Sequence, residues 1–141
     1  VQRMSAGTGV LHSEFNHSQE NGLHFLQIWI ETAQRGIQPS YEQKHFSTAE
    51  RQGQWRLVLS PDGRDGSVSV NQDVSLYASL LSAGEQVTSP PSRYAWLHVV
   101  KGAVELNGER LTTGDAAAFT PDEHVELTSS DASEVLLFDL A

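Results

Sequence analysis

Apolar and polar side chains alternate along most of this chain with a period of two, the signature of β-strands whose successive side chains point to opposite faces. The clearest runs are VSLYASLL (74–81), RYAWLHVV (93–100) and EVLLFDL (134–140). WRLVLS (55–60), SVSV (67–70), AVELN (103–107), AAAF (116–119) and HVELT (124–128) are shorter strand candidates. LHFLQIWI (23–30) sets Leu26, Ile28 and Ile30 against Phe25 and Trp29, apolar on both sides, as in a strand buried inside a sandwich. GTGVLHSEFN (7–16) reads as a strand following a glycine turn.

Turn chemistry punctuates these runs. Asn107-Gly108, between VEL and ERL, is the strongest short hairpin signal and predicts a type I′ turn. SPDGRDGS (60–67) is dense in turn formers; its Asp-Gly pattern lacks the ligand spacing of a calcium loop. Ser47 and Glu50 have capping-box spacing, which predicts one helical turn around 48–52, after the short run YEQKHF (41–46). Short strands with turns about every 8–12 residues predict an all-β antiparallel sandwich or barrel. A loop at 31–40, with Gly36 and Pro39, marks a candidate boundary between two packing units.

Composition narrows the function. The 141 residues suffice for one domain with a substantial core. Eighteen acidic against nine basic residues give a formal charge of −9, which argues against a nucleic-acid or anionic-membrane surface. No cysteine is present, so disulfides and thiolate metal sites are excluded; this suits a reducing compartment, and a cytoplasmic location is expected. No apolar run approaches the roughly 18 residues of a membrane helix.

The candidate chemistry lies at His12 and Glu14. On a strand, this spacing puts imidazole and carboxylate on one face, roughly 7 Å apart along the backbone, and the two can share a metal ion. A mononuclear site ordinarily takes three or four protein ligands. Taken alone, His-x-Glu on a strand is more often an exposed or hydrogen-bonded pair. Asn16 reads as a turn cap, His24 and His98 as structural residues within strands, and His17 and His45 as lying near loops. Trp29, Trp55 and Trp96 read as core or domain-interface anchors.

The pattern Gly7-x-Gly9-x-x-His12-x-x-x-Asn16 resembles the second conserved motif of cupins, with Gly7 where proline is commoner. MSAGTGVLHSEFN followed by LHFLQIWI resembles the pirin family, in particular its bacterial quercetinase-like members. YEQKHF, LVLSPDGRDGS, VVKGAVELNG and SEVLLFDL resemble that family's C-terminal part. The resemblance implies a jelly-roll-like cupin sandwich: a remnant of an N-terminal cupin over 1–40 and a metal-free C-terminal cupin over 41–141. It also implies one metal, Fe(II) first among divalent transition ions, held in the N-terminal cupin by three histidines and a glutamate. His12 and Glu14 match the last two of those ligands, and the upstream His-x-His has no counterpart here. No second site replaces it, since SPPSRYAWLH (89–98) lacks His-x-His and His124 follows Pro121 at the wrong interval.

Three functional readings follow. In the intact parent, the resemblance implies a flavonol dioxygenase in which Glu14 doubles as ligand and proton acceptor. The alternative is a non-catalytic pirin-type regulator that binds other proteins. The chain by itself is expected to be folded but inactive and to hold no metal firmly. It is expected to associate as a homodimer or strand-exchanged pair through exposed edges and apolar faces, Phe25 and Trp29 included.

Overall fold

A computed structural model of the chain describes residues 1–89, 93–121, 123 and 126–141. Strands dominate, as the alternation predicts. In chain order they are β1 (Gln2–Ser5), β2 (Ser40–Gln43), β3 (Arg56–Ser60), β4 (Val68–Ser69), β5 (Val74–Leu81), β6 (Gln86–Thr88), β7 (Tyr94–Lys101), β8 (Ala103–Leu106), β9 (Glu109–Thr112), β10 (Ala116–Phe119), β11 (Glu126–Ser129) and β12 (Ser133–Leu140). Helix α1 (Thr48–Arg51) is the single turn that the capping box predicts. Glu50 N donates to Ser47 Oγ at 3.4 Å, and Ser47 N donates to Glu50 Oε2 at 2.7 Å. A 3₁₀ turn at Arg64–Gly66 completes the list.

Among the described residues the strands form three sheets. β1 and β2 make an antiparallel ribbon, a six-stranded sheet runs β10-β7-β12-β5-β3-β4, and a four-stranded sheet runs β6-β11-β8-β9. Pairing within the six-stranded sheet is antiparallel except at β3–β4. The hairpin between β8 and β9 turns on Asn107 at φ 49° and Gly108 at φ 88°, both positive as a type I′ turn requires.

The core lies between the two larger sheets. Leu97, Val99, Val135 and Leu137 from one meet Val104, Leu106 and Leu127 from the other, all nearly or fully buried. The six-stranded sheet is apolar on its second face too. There Val58, Leu76 and Ala78, flanked by Leu136 and Phe138, pack with Phe46 and Ile30 from the N-terminal third of the chain. Alternation along β12, with Val135 and Leu137 facing one cluster and Leu136 and Phe138 the other, produces this two-sided sheet.

Two sequence expectations fail. Neither 7–16 nor 23–30 forms a strand, and Phe25, Leu26, Ile28 and Trp29 are 56, 40, 41 and 88% exposed rather than buried. A strand needs a neighbour to satisfy its backbone groups, and the strands of this chain pair with one another. That leaves both segments without a ladder partner among the described residues. Of the second segment, Ile30 reaches a core cluster.

Candidate functional site

The glycines ahead of His12 make a tight reversal. Gly7 and Gly9 have φ 52° and 133°, and Gly9 N donates to Ala6 O at 2.7 Å. Gly7 is required on two counts. Its φ is left-handed, and a Cβ there would lie 2.0 Å from the Ile37 carbonyl oxygen. Proline, with φ fixed near −65°, is excluded from this conformation, which accounts for the departure from the commoner motif at this position.

Beyond the reversal the chain carries His12 and Glu14 into solvent, in an irregular segment rather than on the expected strand. The shared face that a strand would have imposed is therefore not set by backbone pairing. Glu14 is nonetheless held: Gln2 Nε2, on β1, donates to Glu14 Oε1. Gln2 Oε1 in turn lies 3.3 Å from the Tyr41 hydroxyl, whose single proton is shared with the nearer acceptor Gln43 Oε1. Register explains the cluster. Gln2 lies opposite Gln43 and Met4 opposite Tyr41, so Gln2, Tyr41 and Gln43 share one face of the ribbon.

The opposite face carries Arg3, Ser5 and Glu42, and it docks on β4. Arg3 Nε donates to Ser69 O at 2.9 Å, Asn71 Nδ2 donates to Ser5 Oγ at 3.1 Å, and Glu42 Oε2 accepts from Ser69 Oγ at 2.7 Å and Ser69 N at 3.0 Å. Those two bonds from Ser69, aided by Lys44 at 3.0 Å, lower the Glu42 carboxyl from its ordinary 4.5 to about 2. The ribbon thus joins the segment bearing His12 and Glu14 to the sandwich. Gln2 and Tyr41 carry no signal in the sequence. They lie 12 and 27 positions from Glu14, and strand pairing alone brings them to it.

An imidazole and a carboxylate are donor types suited to a divalent transition metal. His12 and Glu14 are both open to solvent, and the Gln2 contact uses one carboxylate oxygen. By donor type the pair suits such an ion as part of a coordination shell. Among the described residues no group of three His, Cys, Asp or Glu side chains converges, so the pair does not enclose one. Asn16 is a turn cap as expected, its Oδ1 accepting from Ser18 N at 3.1 Å and its Nδ2 donating to Asn21 O at 2.7 Å. His98 lies in β7 as expected, half-buried in a groove of about 250 Å³ with Leu26, Ile28, Trp96, Leu136 and Phe138. His24 is exposed and outside any strand, a correction with the same cause as that of 23–30. His124 lies outside the described residues. Of the tryptophans, Trp55 packs against the core, whereas Trp96 is 45% and Trp29 88% exposed.

A family model described as the quercetinase C-terminal cupin domain matches residues 57–140, and the pirin model matches residues 1–30. The chain belongs to the pirin family. It is 46% identical over 141 residues to a quercetin 2,3-dioxygenase of Escherichia coli K12, covering 99% of this chain and 60% of that protein. This pirin chain therefore spans about 60% of the length of that curated relative. Among solved structures it resembles YhhW of E. coli, with a TM-score of 0.72 and 41% identity over 80% of this chain and 48% of that one. The bacterial pirin YhhW in complex with nickel(II) gives a TM-score of 0.68 at 41% identity, over 77% and 47%. Among the described residues of this pirin, no helix is long and apolar enough to cross a membrane.

Proposed function

We propose that this chain is the C-terminal portion of a quercetin 2,3-dioxygenase-type pirin. In this reading His12 and Glu14 supply two of the ligands to a divalent metal, and the chain by itself is inactive. The observation that carries the proposal is the 46% identity to a quercetin 2,3-dioxygenase over 99% of the chain. The nickel(II) complex of a related pirin supports a divalent metal, and Fe(II) is the ion proposed for catalysis. Residues 1–40 then belong to the N-terminal cupin and 41–141 form the C-terminal cupin, a division supported by the separate matches over 1–30 and 57–140. The second cupin is metal-free in this reading. His98 supports this, because it alternates with the buried Leu97 and Val99 and so faces away from the interior between the sheets.

The metal, when bound, supplies a Lewis acid and a template for a flavonol and dioxygen. Glu14 contributes a negative charge that offsets the ion and an oxygen able to take the proton of a flavonol hydroxyl. His12 would contribute a ring nitrogen as a donor to that ion. Two ligands hold such an ion weakly, so the isolated chain is expected to lose metal on dialysis against a chelator and to oxygenate no flavonol. In the full-length parent loaded with Fe(II), His12→Ala is expected to reduce quercetin turnover to background while leaving the unfolding of the C-terminal cupin unchanged. Turnover unaffected by His12→Ala would overturn the ligand assignment. A metal-loaded parent with no flavonol turnover would favour the non-catalytic, protein-binding alternative.

A further inference from the structure

We infer that Gln2 is a positioning residue for Glu14: its side-chain amide, carried on the β1–β2 ribbon, fixes the carboxylate that the proposed site uses. The inference rests on the reading of Glu14 as a metal ligand and proton acceptor.

Hydrogen-bond chemistry determines which way the amide faces. An ionised carboxylate only accepts, so the Gln2 end that meets Glu14 must be the NH₂. That places Gln2 Oε1 toward the Tyr41 hydroxyl, the one donor of that side chain, at 3.3 Å. The one Tyr41 proton goes chiefly to Gln43 Oε1, with Gln2 Oε1 as the more distant acceptor, and Tyr41 stands opposite Met4 in the ribbon. The Gln2 amide is thus set by its NH₂ bond to Glu14, with its Oε1 end toward Tyr41. The ribbon's other face is anchored on β4 through Arg3, Glu42 and Ser69, so Gln2 stands on a braced element while Glu14 stands on an unpaired segment.

The consequence is chemical. A carboxylate on an irregular segment samples many rotamers, and a fixed partner on a paired strand removes that freedom before a metal arrives. The amide proton engages Oε1 and leaves Oε2 as the oxygen that would be freer to meet a metal. Outer partners of metal ligands typically change affinity about 10–100-fold in closed sites. An exposed pair is expected to fall below that range, at about 3–10-fold.

The test uses the 141-residue chain with Ni(II) alone, followed by titration calorimetry, together with the side-chain ¹⁵N–¹H₂ resonances of Gln2. Glu14→Gln is expected to shift the Gln2 amide resonances, and Tyr41→Phe to shift them by less. Gln2→Leu is expected to weaken Ni(II) binding about 3–10-fold, with Gln2→Asn retaining less than the native side chain but more than leucine. The double variant Gln2→Leu/Glu14→Gln should bind no more weakly than Glu14→Gln alone, because a positioning residue acts only through its target. Gln2 resonances unmoved by Glu14→Gln, or additive losses in the double variant, would overturn the inference. Should Glu14→Gln and His12→Ala leave Ni(II) affinity unchanged while the Gln2 resonances do shift, the contact stands and the metal reading of the site falls.

Discussion

Gly7 shows how one residue fixes the entrance to the candidate site. With φ 52° and the Ile37 carbonyl oxygen 2.0 Å from the place a Cβ would occupy, the position excludes side chains on backbone and steric grounds together. Gly7→Ala is therefore expected to destabilise the chain by about 2 kcal/mol, read as a lower urea midpoint with an unchanged slope. Gly9→Ala is the control, since nothing lies within 4 Å of its Cβ position. Its φ of 133° still disfavours alanine, so the control is expected to cost less but not nothing. A Gly7→Ala variant as stable as the native chain would show that 37–39 moves aside freely. His12 and Glu14 differ in kind from Gly7: they are exposed, so their exchange for alanine or glutamine is expected to change metal affinity with little effect on stability.

The β1–β2 ribbon carries a pH dependence of its own at the level of elements. Glu42 has its carboxyl lowered from 4.5 to about 2 by Ser69 and then Lys44, so its ionised form is favoured in the folded ribbon. The stabilisation is fully present above pH 4.5 and is lost as the pH falls through about 2. Between those values the native chain should lose thermal stability more steeply than Glu42→Gln; parallel melting curves across that window would show that the Ser69 bonds contribute nothing. This element also marks the limit of what the sequence reveals. The long alternating run at 74–81 was legible to the residue, because burial on the pleat writes itself as period two, and 116–119 was legible as a short apolar run. The hairpin at Asn107-Gly108 and the cap at Ser47 were legible from local chemistry. β1 (QRMS) and β6 (QVT) were not, being three- or four-residue strands with too few apolar side chains to show a period. For 7–16 and 23–30 the apolar pattern was present but its partner strands were not, and pattern alone does not say what a strand pairs with. The candidate site was legible by the same measure: His12 and Glu14 stand in a local motif, whereas Gln2 and Tyr41 reach Glu14 only through pairing across the ribbon.

On the scale of the whole molecule, most of the large exposed apolar side chains gather in one stretch of the chain, between residues 10 and 29. Leu11, Phe15 and Trp29 are 100, 83 and 88% exposed, and Leu23, Phe25, Leu26 and Ile28 are each at least 40% exposed. Trp96, 45% exposed, lines the same groove as Leu26 and Ile28 on the outer face of the six-stranded sheet. Scattered exposed hydrophobes are ordinary, but a run of this length with neighbouring unpaired backbone favours association. The net charge of −9 opposes it at long range and is screened within about 8 Å at physiological salt, so salt should favour the associated form. A two-fold arrangement hides both copies of the segment at once and closes, whereas a head-to-tail contact leaves one copy exposed and grows. The isolated chain is accordingly expected to be a dimer by light scattering at about 100 μM, dissociating on dilution. Trp29→Ser with Phe15→Ser should shift it toward monomer without altering the near-ultraviolet signal of the buried core. A monomer at every concentration and salt level tested would mean that the segment folds back on its own sandwich in solution, and species growing beyond the dimer would rule out the closed pair.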